Sequence, residues 1–172
     1  MASVLEREIR QRKPFASRET AAVVGLLRTA DVVKRGLTRV VEPQGITLQQ
    51  YNVLRILRGA GSPGLPTLEI AERMVEQAPG ITRLMDRLEV KRLVRRERCP
   101  DDRRQVLCWI TPAGRRLLAV LEQPMDEAGR AALSALRRSE LAALERALDA
   151  IRATHQTAPT PVGARHRGPS DR

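Results

Sequence analysis

The 172 residues suit one domain, or one compact domain with an extension, and leave no room for two large ones. Apolar residues at 42% and charged residues at 30% describe a globular core with a well-solvated surface, and no stretch is apolar for long enough to cross a bilayer. A net charge of +11 favours a polyanionic partner, while aromatics at 2% exclude the stacking platforms that single-strand binders use, so duplex nucleic acid leads. An arginine-rich proteome is the competing explanation of the charge, and arrangement has to decide between them.

Residues 1–18 are charged and lack sustained periodicity. From Glu19 to Val41 apolar residues recur at Val23, Leu26, Leu27, Ala30, Val33, Leu37 and Val40, which is helical spacing. Pro43 and Gly45 stop this helix, and Thr47 to Gln50 reads as a capping box opening a second helix to about Arg58. The glycine-rich run Gly59 to Gly64 is a loop. Leu65-Pro66 is then a short extended stretch, and Thr67 is expected to cap a brief helix through Leu68, Ile70, Ala71 and Met74.

Glu76 to Gly80 makes a turn into a further helix that tolerates Pro79 in its first turn. Ile81, Leu84, Met85 and Leu88 form its buried stripe; Thr82, Arg83, Asp86 and Arg87 form the opposite face. After Leu93 the period changes to two, predicting a hairpin of strands at 94–98 and 105–110 with a basic tip between them. Thr111-Pro112 opens a long helix that Pro124 is expected to kink or interrupt. A last helix, about Arg138 to Ala153, carries Leu141, Leu144, Leu148 and Ile151. From Thr154 onward, proline and glycine among polar residues predict a tail without structure.

A short helix, a turn and an amphipathic helix with basic exposed residues form a helix-turn-helix, and the strand pair after it forms a wing. Four blocks in this order resemble the MarR (multiple antibiotic resistance regulator) family. Gly45 to Leu54 resembles its "L-T-x-x-Q-x-x-V-L", and Glu69 to Arg73 its "E-L-A-E-R". Ile81 to Glu89 resembles "V-T-R-L-V-D-R-L-E"; Asp102-Arg103-Arg104 followed by Ile110 to Gly114 resembles "D-x-R … L-T-x-x-G". The resemblance implies a mainly α fold, a winged helix-turn-helix with a two-stranded wing and a helical dimerisation region. Residues 1–18 are then an extension and 19–153 the domain. Within it, 46–110 form the DNA-binding lobe, 19–42 and 111–153 the dimerisation helices, and 154–172 the tail.

Arg83 and Arg87 lie one turn apart on the polar side of the candidate recognition helix, in reach of guanine edges or phosphates. Gln77 and Thr82 sit near its start, where free backbone N–H groups also favour an anion. In the wing, Arg103 and Arg104 suit the negative potential of a narrow minor groove. Asp102 accepts hydrogen bonds from Arg104 or from backbone N–H groups, and Asp86 orients a neighbouring arginine, since a carboxylate facing phosphate is repelled. Two positions depart from the family pattern: Arg92 stands where glycine is usual, which demands a different turn or a positive φ, and Pro79-Gly80 replaces hydroxyl residues.

The reading is therefore a sequence-specific double-stranded DNA-binding regulator, repressing transcription as a homodimer on a pseudo-palindromic site. The alternative is a winged-helix module for protein contact without DNA binding. By resemblance, a small phenolic or aromatic effector binds between the lobes, and Tyr51, with Val33 and Lys34, is the candidate lining; core packing is the competing role of Tyr51. Cys99 and Cys108 form no C-x-x-C pair, and His155 and His166 fall in or beside the tail, so neither a metal nor another cofactor is expected. No nucleophile–base pair or phosphate loop points to an enzyme. The first residues lack the basic-then-apolar order of a secretory signal, so a cytoplasmic location is expected.

Overall fold

The computed structural model describes residues 3–77, 80–99 and 105–156, the side chains of 155 and 156 excepted. The chain forms two compact units, Met1–Ala132 and Leu133–Arg172. In the first, α1 (Val4–Glu8) precedes the long α2 (Arg18–Val41), and a single 3₁₀ turn (Glu42–Gln44) leads to α3 (Leu48–Ala60). Then follow β1 (Leu65–Pro66), α4 (Thr67–Glu72), α5 (Ile81–Val90), β2 (Val94–Arg98), β3 (Val106–Ile110) and α6 (Pro112–Ala132). The second unit contains α7 (Arg138–Gln156).

The capping box at α3 forms as the sequence predicts: Thr47 Oγ1 accepts the Gln50 N–H at 3.2 Å, and Gln50 Oε1 accepts the Thr47 N–H at 3.1 Å. Gln50 is the one buried polar residue among the described residues, and these bonds pair its backbone N–H and its side-chain oxygen, which lowers the cost of burying it. From that start α3 runs through the centre of the unit, with Val53, Leu54 and Leu57 at most 1% exposed. Ile70 of α4, Met85 and Leu88 of α5, and Leu118 and Leu121 of α6 close around them.

Several local features depart from the sequence reading. The wing hairpin pairs with its strands in register from Val94↔Ile110 to Arg98↔Val106, but the sheet has a third strand, because β1 pairs antiparallel with β3 through Leu65↔Cys108 and Pro66↔Leu107. Thr67 is the first residue of α4 and not its cap; Pro66 holds that position without a side-chain bond, and the Thr67 hydroxyl donates instead across the sheet to the Val106 carbonyl. Helix α6 continues through Pro124 uninterrupted. The missing proline N–H frees the carbonyl of Val120, whose residue is 60% exposed and open to water. Helix α7 extends to Gln156, past the expected tail boundary, and α1 appears within the extension. The rest of the tail, residues 157–172, lies outside the described residues.

Two glycines fix how the wing meets the core. Gly64, at φ 75°, lies under the indole of Trp109, where a Cβ would stand 2.5 Å from the ring. Trp109 Nε1 donates to the Ser62 carbonyl at 2.9 Å, and the Arg95 guanidinium stacks 4.1 Å from the ring centroid. Gly114, in the first turn of α6, packs against the backbone of Leu93 at the root of β2. Of the two courses left open for Arg92, a different turn or a positive φ, it takes the second at φ 57°, and the Thr111 hydroxyl donates to its carbonyl at 2.8 Å.

Candidate nucleic-acid interface

Helix α5 has the two faces its periodicity predicts. Leu84, Met85 and Leu88 are buried, while Thr82, Arg83, Asp86, Arg87 and Val90 are exposed. Gly80 caps it in the left-handed region at φ 92° without a side-chain bond, so no side chain of that residue competes for the first-turn N–H groups. Gln77 is exposed in the stretch leading to it. Among the described residues, Arg83 and Arg87 form no ion pair, so two guanidiniums one turn apart stand unengaged on the outer face. Pro79 lies outside the described residues, as do Asp102, Arg103 and Arg104 of the wing tip.

Asp86 pairs with an arginine of the wing. Its carboxylate lies 2.7 Å from Arg96 Nη2, and Glu89, the next acidic residue along α5, accepts from Arg96 Nε at 2.9 Å and Nη2 at 2.5 Å. The pairing raises the Arg96 guanidinium above its already high ordinary value, the Glu89 hydrogen bond being the chief cause. Arg96 thus joins β2 of the wing to α5 and pairs with both carboxylates, offsetting part of their charge beside the exposed Arg83 and Arg87. Sequence reading passed over Arg96 and Glu89. The signal was there: Arg96 shares the inward side of β2 with buried Val94, two positions away.

The end of α5 is held too, since Lys91 Nζ donates to the Gly45 carbonyl. Its lead-in is held by two side chains. Asn52 Oδ1 accepts the Val75 N–H at 3.0 Å, and Lys34 Nζ reaches Glu76 at 2.7 Å and 2.9 Å from its two carboxylate oxygens.

Beside this lead-in lies a hollow of about 170 Å³ lined by Leu37, Leu48, Tyr51, Met74, Val75 and Met125, with Arg55 and Glu76 as charged lining. Tyr51 is buried, and that burial pushes its hydroxyl above the ordinary phenol value. Tyr51 thus packs in the core and also lines the hollow. Lys34 is not part of the lining; it meets the hollow only through its bond to Glu76. Val33 does not join them. It lines a separate groove with Val32, Gly36 and residues Ala128, Ala131 and Ala132 of α6, one turn back along α2.

Neither cysteine is paired; Cys108 is buried and Cys99 half-buried. Among the described residues no cluster of potential metal ligands occurs, and no helix is long and apolar enough to cross a membrane.

Comparison with known proteins places this geometry. Residues 46–106 match the model of the MarR family. The transcriptional regulator HosA of Escherichia coli O111:H- is 34% identical over 74 residues, 43% of this chain and 53% of HosA, so the chain spans about half the length of that curated relative. The crystal structure of a MarR transcription factor from Planctomyces limnophilus is 39% identical, with a TM-score of 0.62 over 79% of this chain and 98% of that one. A mutant of MarR from E. coli, crystallised with operator DNA, superposes with a TM-score of 0.68 over 87% of this chain and 99% of that chain; at 22% identity it shares the fold.

Proposed function

From the premise that the chain belongs to the MarR family, we propose that it is a sequence-specific double-stranded DNA-binding transcriptional regulator, working as a homodimer and repressing transcription. The observation that carries the reading is the outer face of α5, where Arg83 and Arg87 stand exposed while Leu84, Met85 and Leu88 anchor the helix to the core. Guanidiniums so placed suit guanine edges in a major groove. Thr82 and Gln77 add hydrogen-bonding groups toward the helix start, and Arg103 and Arg104 are assigned to the adjacent minor groove. A mutant of E. coli MarR, a protein of the same fold, has been crystallised with operator DNA, which supports the DNA-binding reading.

The homodimer reading rests on apolar surface that needs a cover. On α2, Val23, Leu27 and Val32 are 57%, 66% and 47% exposed, and on α7 no described residue is buried although Leu141, Leu144, Leu148 and Ile151 follow helical spacing. A second copy covers such faces isologously and presents two recognition helices, hence a pseudo-palindrome with half-sites about one helical turn apart. The hollow at Tyr51 is assigned to a small phenolic or aromatic effector: its walls are mostly apolar, and Arg55 offers a partner for an anionic substituent.

Selection of bound duplexes from a random library tests the whole reading. Recovery of a pseudo-palindromic sequence, lost in Arg87→Ala at a cost of about 1–3 kcal/mol, supports it. Failure to retain any duplex at low ionic strength would leave the protein-contact alternative.

A further inference from the structure

Residues 74–77 follow α4 on the way to α5, the helix read above as the DNA-reading one. Lys34 belongs to α2, 42 residues away in sequence, yet its ammonium grips both oxygens of Glu76, four residues before the Gly80 cap. The other ion pairs of α2 found among the described residues run within that helix or to Glu8 of α1. Both partners are roughly half exposed, with side-chain values of 49% and 42%. A pair so solvated adds little to global stability. It ties the half-exposed Glu76 to α2 in a segment whose neighbouring Val75 is 85% exposed.

We propose that the Lys34–Glu76 bridge is a latch that holds the lead-in of α5 in its DNA-reading position, with both residues acting as positioning residues. The proposal rests on the DNA-binding reading above. It also gives that reading a lever, because Glu76 lines the hollow at Tyr51 and so belongs at once to the candidate effector site and to the turn before the recognition helix. Asn52 is the second tether of the same segment, so opening the latch loosens the lead-in without releasing it.

The test exploits a difference in sign. Glu76→Gln removes a negative charge, so the protein's field alone makes the variant bind any duplex more tightly. The latch predicts the opposite for a specific site. Affinity for the duplex that the wild-type protein selects from a random library falls about 3- to 10-fold, while a scrambled duplex binds as before or slightly tighter. The swap Lys34→Glu with Glu76→Lys, which restores the pair with unchanged net charge, recovers most of the loss. Hydrogen exchange at the Val75 amide, followed in the free full-length chain, quickens in Glu76→Gln and in Lys34→Gln and slows again in the swap. Equal or tighter binding of the selected duplex by Glu76→Gln, with unaltered exchange, overturns the latch. Should the wild-type protein select no duplex, the DNA-binding reading falls by itself. Exchange then decides the latch: quickening with recovery in the swap upholds its hold on residues 74–77, and its absence overturns it.

Discussion

Replacing Gly114 by alanine probes the joint between the wing and α6. Gly114 N–H donates to Thr111 Oγ1 at 3.1 Å, and Thr111 N–H donates to the Leu93 carbonyl at 3.0 Å, so the first turn of α6 is bonded onto the root of β2. A Cβ at Gly114 would meet Ile110 Cγ1 at 2.8 Å and the Leu93 carbonyl oxygen closer still. Ordinary contact begins at 3.4 Å, so the turn must retreat by about 0.6 Å from the side chain and by more from the carbonyl. The carbonyl is backbone and cannot rotate aside. Overpacking of this kind costs roughly 1–3 kcal/mol, to which stretching of the Thr111 hydrogen bond adds. Gly59→Ala, in α3 with nothing within 4 Å of the added carbon, serves as the opposite case, neutral or stabilising by up to about 1 kcal/mol. Urea denaturation at one fixed protein concentration measures both. A Gly114→Ala variant within about 0.5 kcal/mol of wild type would show that the joint yields, and the packing argument would be wrong.

Three further outcomes are expected. Arg92→Gly relieves a positive φ of 57° and stabilises the fold by roughly 1 kcal/mol; a loss in the same denaturation assay would mean that contacts of the arginine outweigh its backbone strain. Arg96→Ala leaves Asp86 and Glu89 uncompensated beside α5 and weakens binding to selected and scrambled duplexes alike by roughly 1–2 kcal/mol, whereas unchanged affinity in direct titrations would refute the brace. Burial both shields the Cys108 thiol and pushes its pKa up, so iodoacetamide labels Cys99 ahead of Cys108 in the native chain, as mass spectrometry reads out. The unfolded chain releases the thiol proton first, so the Cys108 contribution to stability declines as pH rises through the ordinary thiol range. Equal labelling of the two cysteines in the native chain refutes the burial.

Much of this was legible because the periodic elements are long. The stripe at 81, 84, 85 and 88 and the alternation after Leu93 each repeat often enough to define a face, and the capping box at Thr47 is local chemistry that needs nothing from the rest of the fold. The two-residue β1 is too short to alternate, and what makes it a strand is the partner β3, far along the chain. Thr67 looked like a cap for the same reason: its hydroxyl had a plausible local use until the sheet brought the Val106 carbonyl to it. Asp86 was read as an orienting group; the alternation of β2 turns Arg96 inward, but neither period says that these two residues meet, since the pair joins a helix to a strand. The link from Lys34 to Glu76 is longer still in sequence and had no local sign at all.

The chain's single tryptophan sits at the root of the wing, tied to Ser62 through its indole N–H and roofed by Arg95. The molecule therefore carries its own fluorophore at the place where the ribbon is fastened, with a neighbouring charge positioned to tint the emission. Any swing of the ribbon shifts that colour, and the posture of the wing can be followed in real time without attaching a dye.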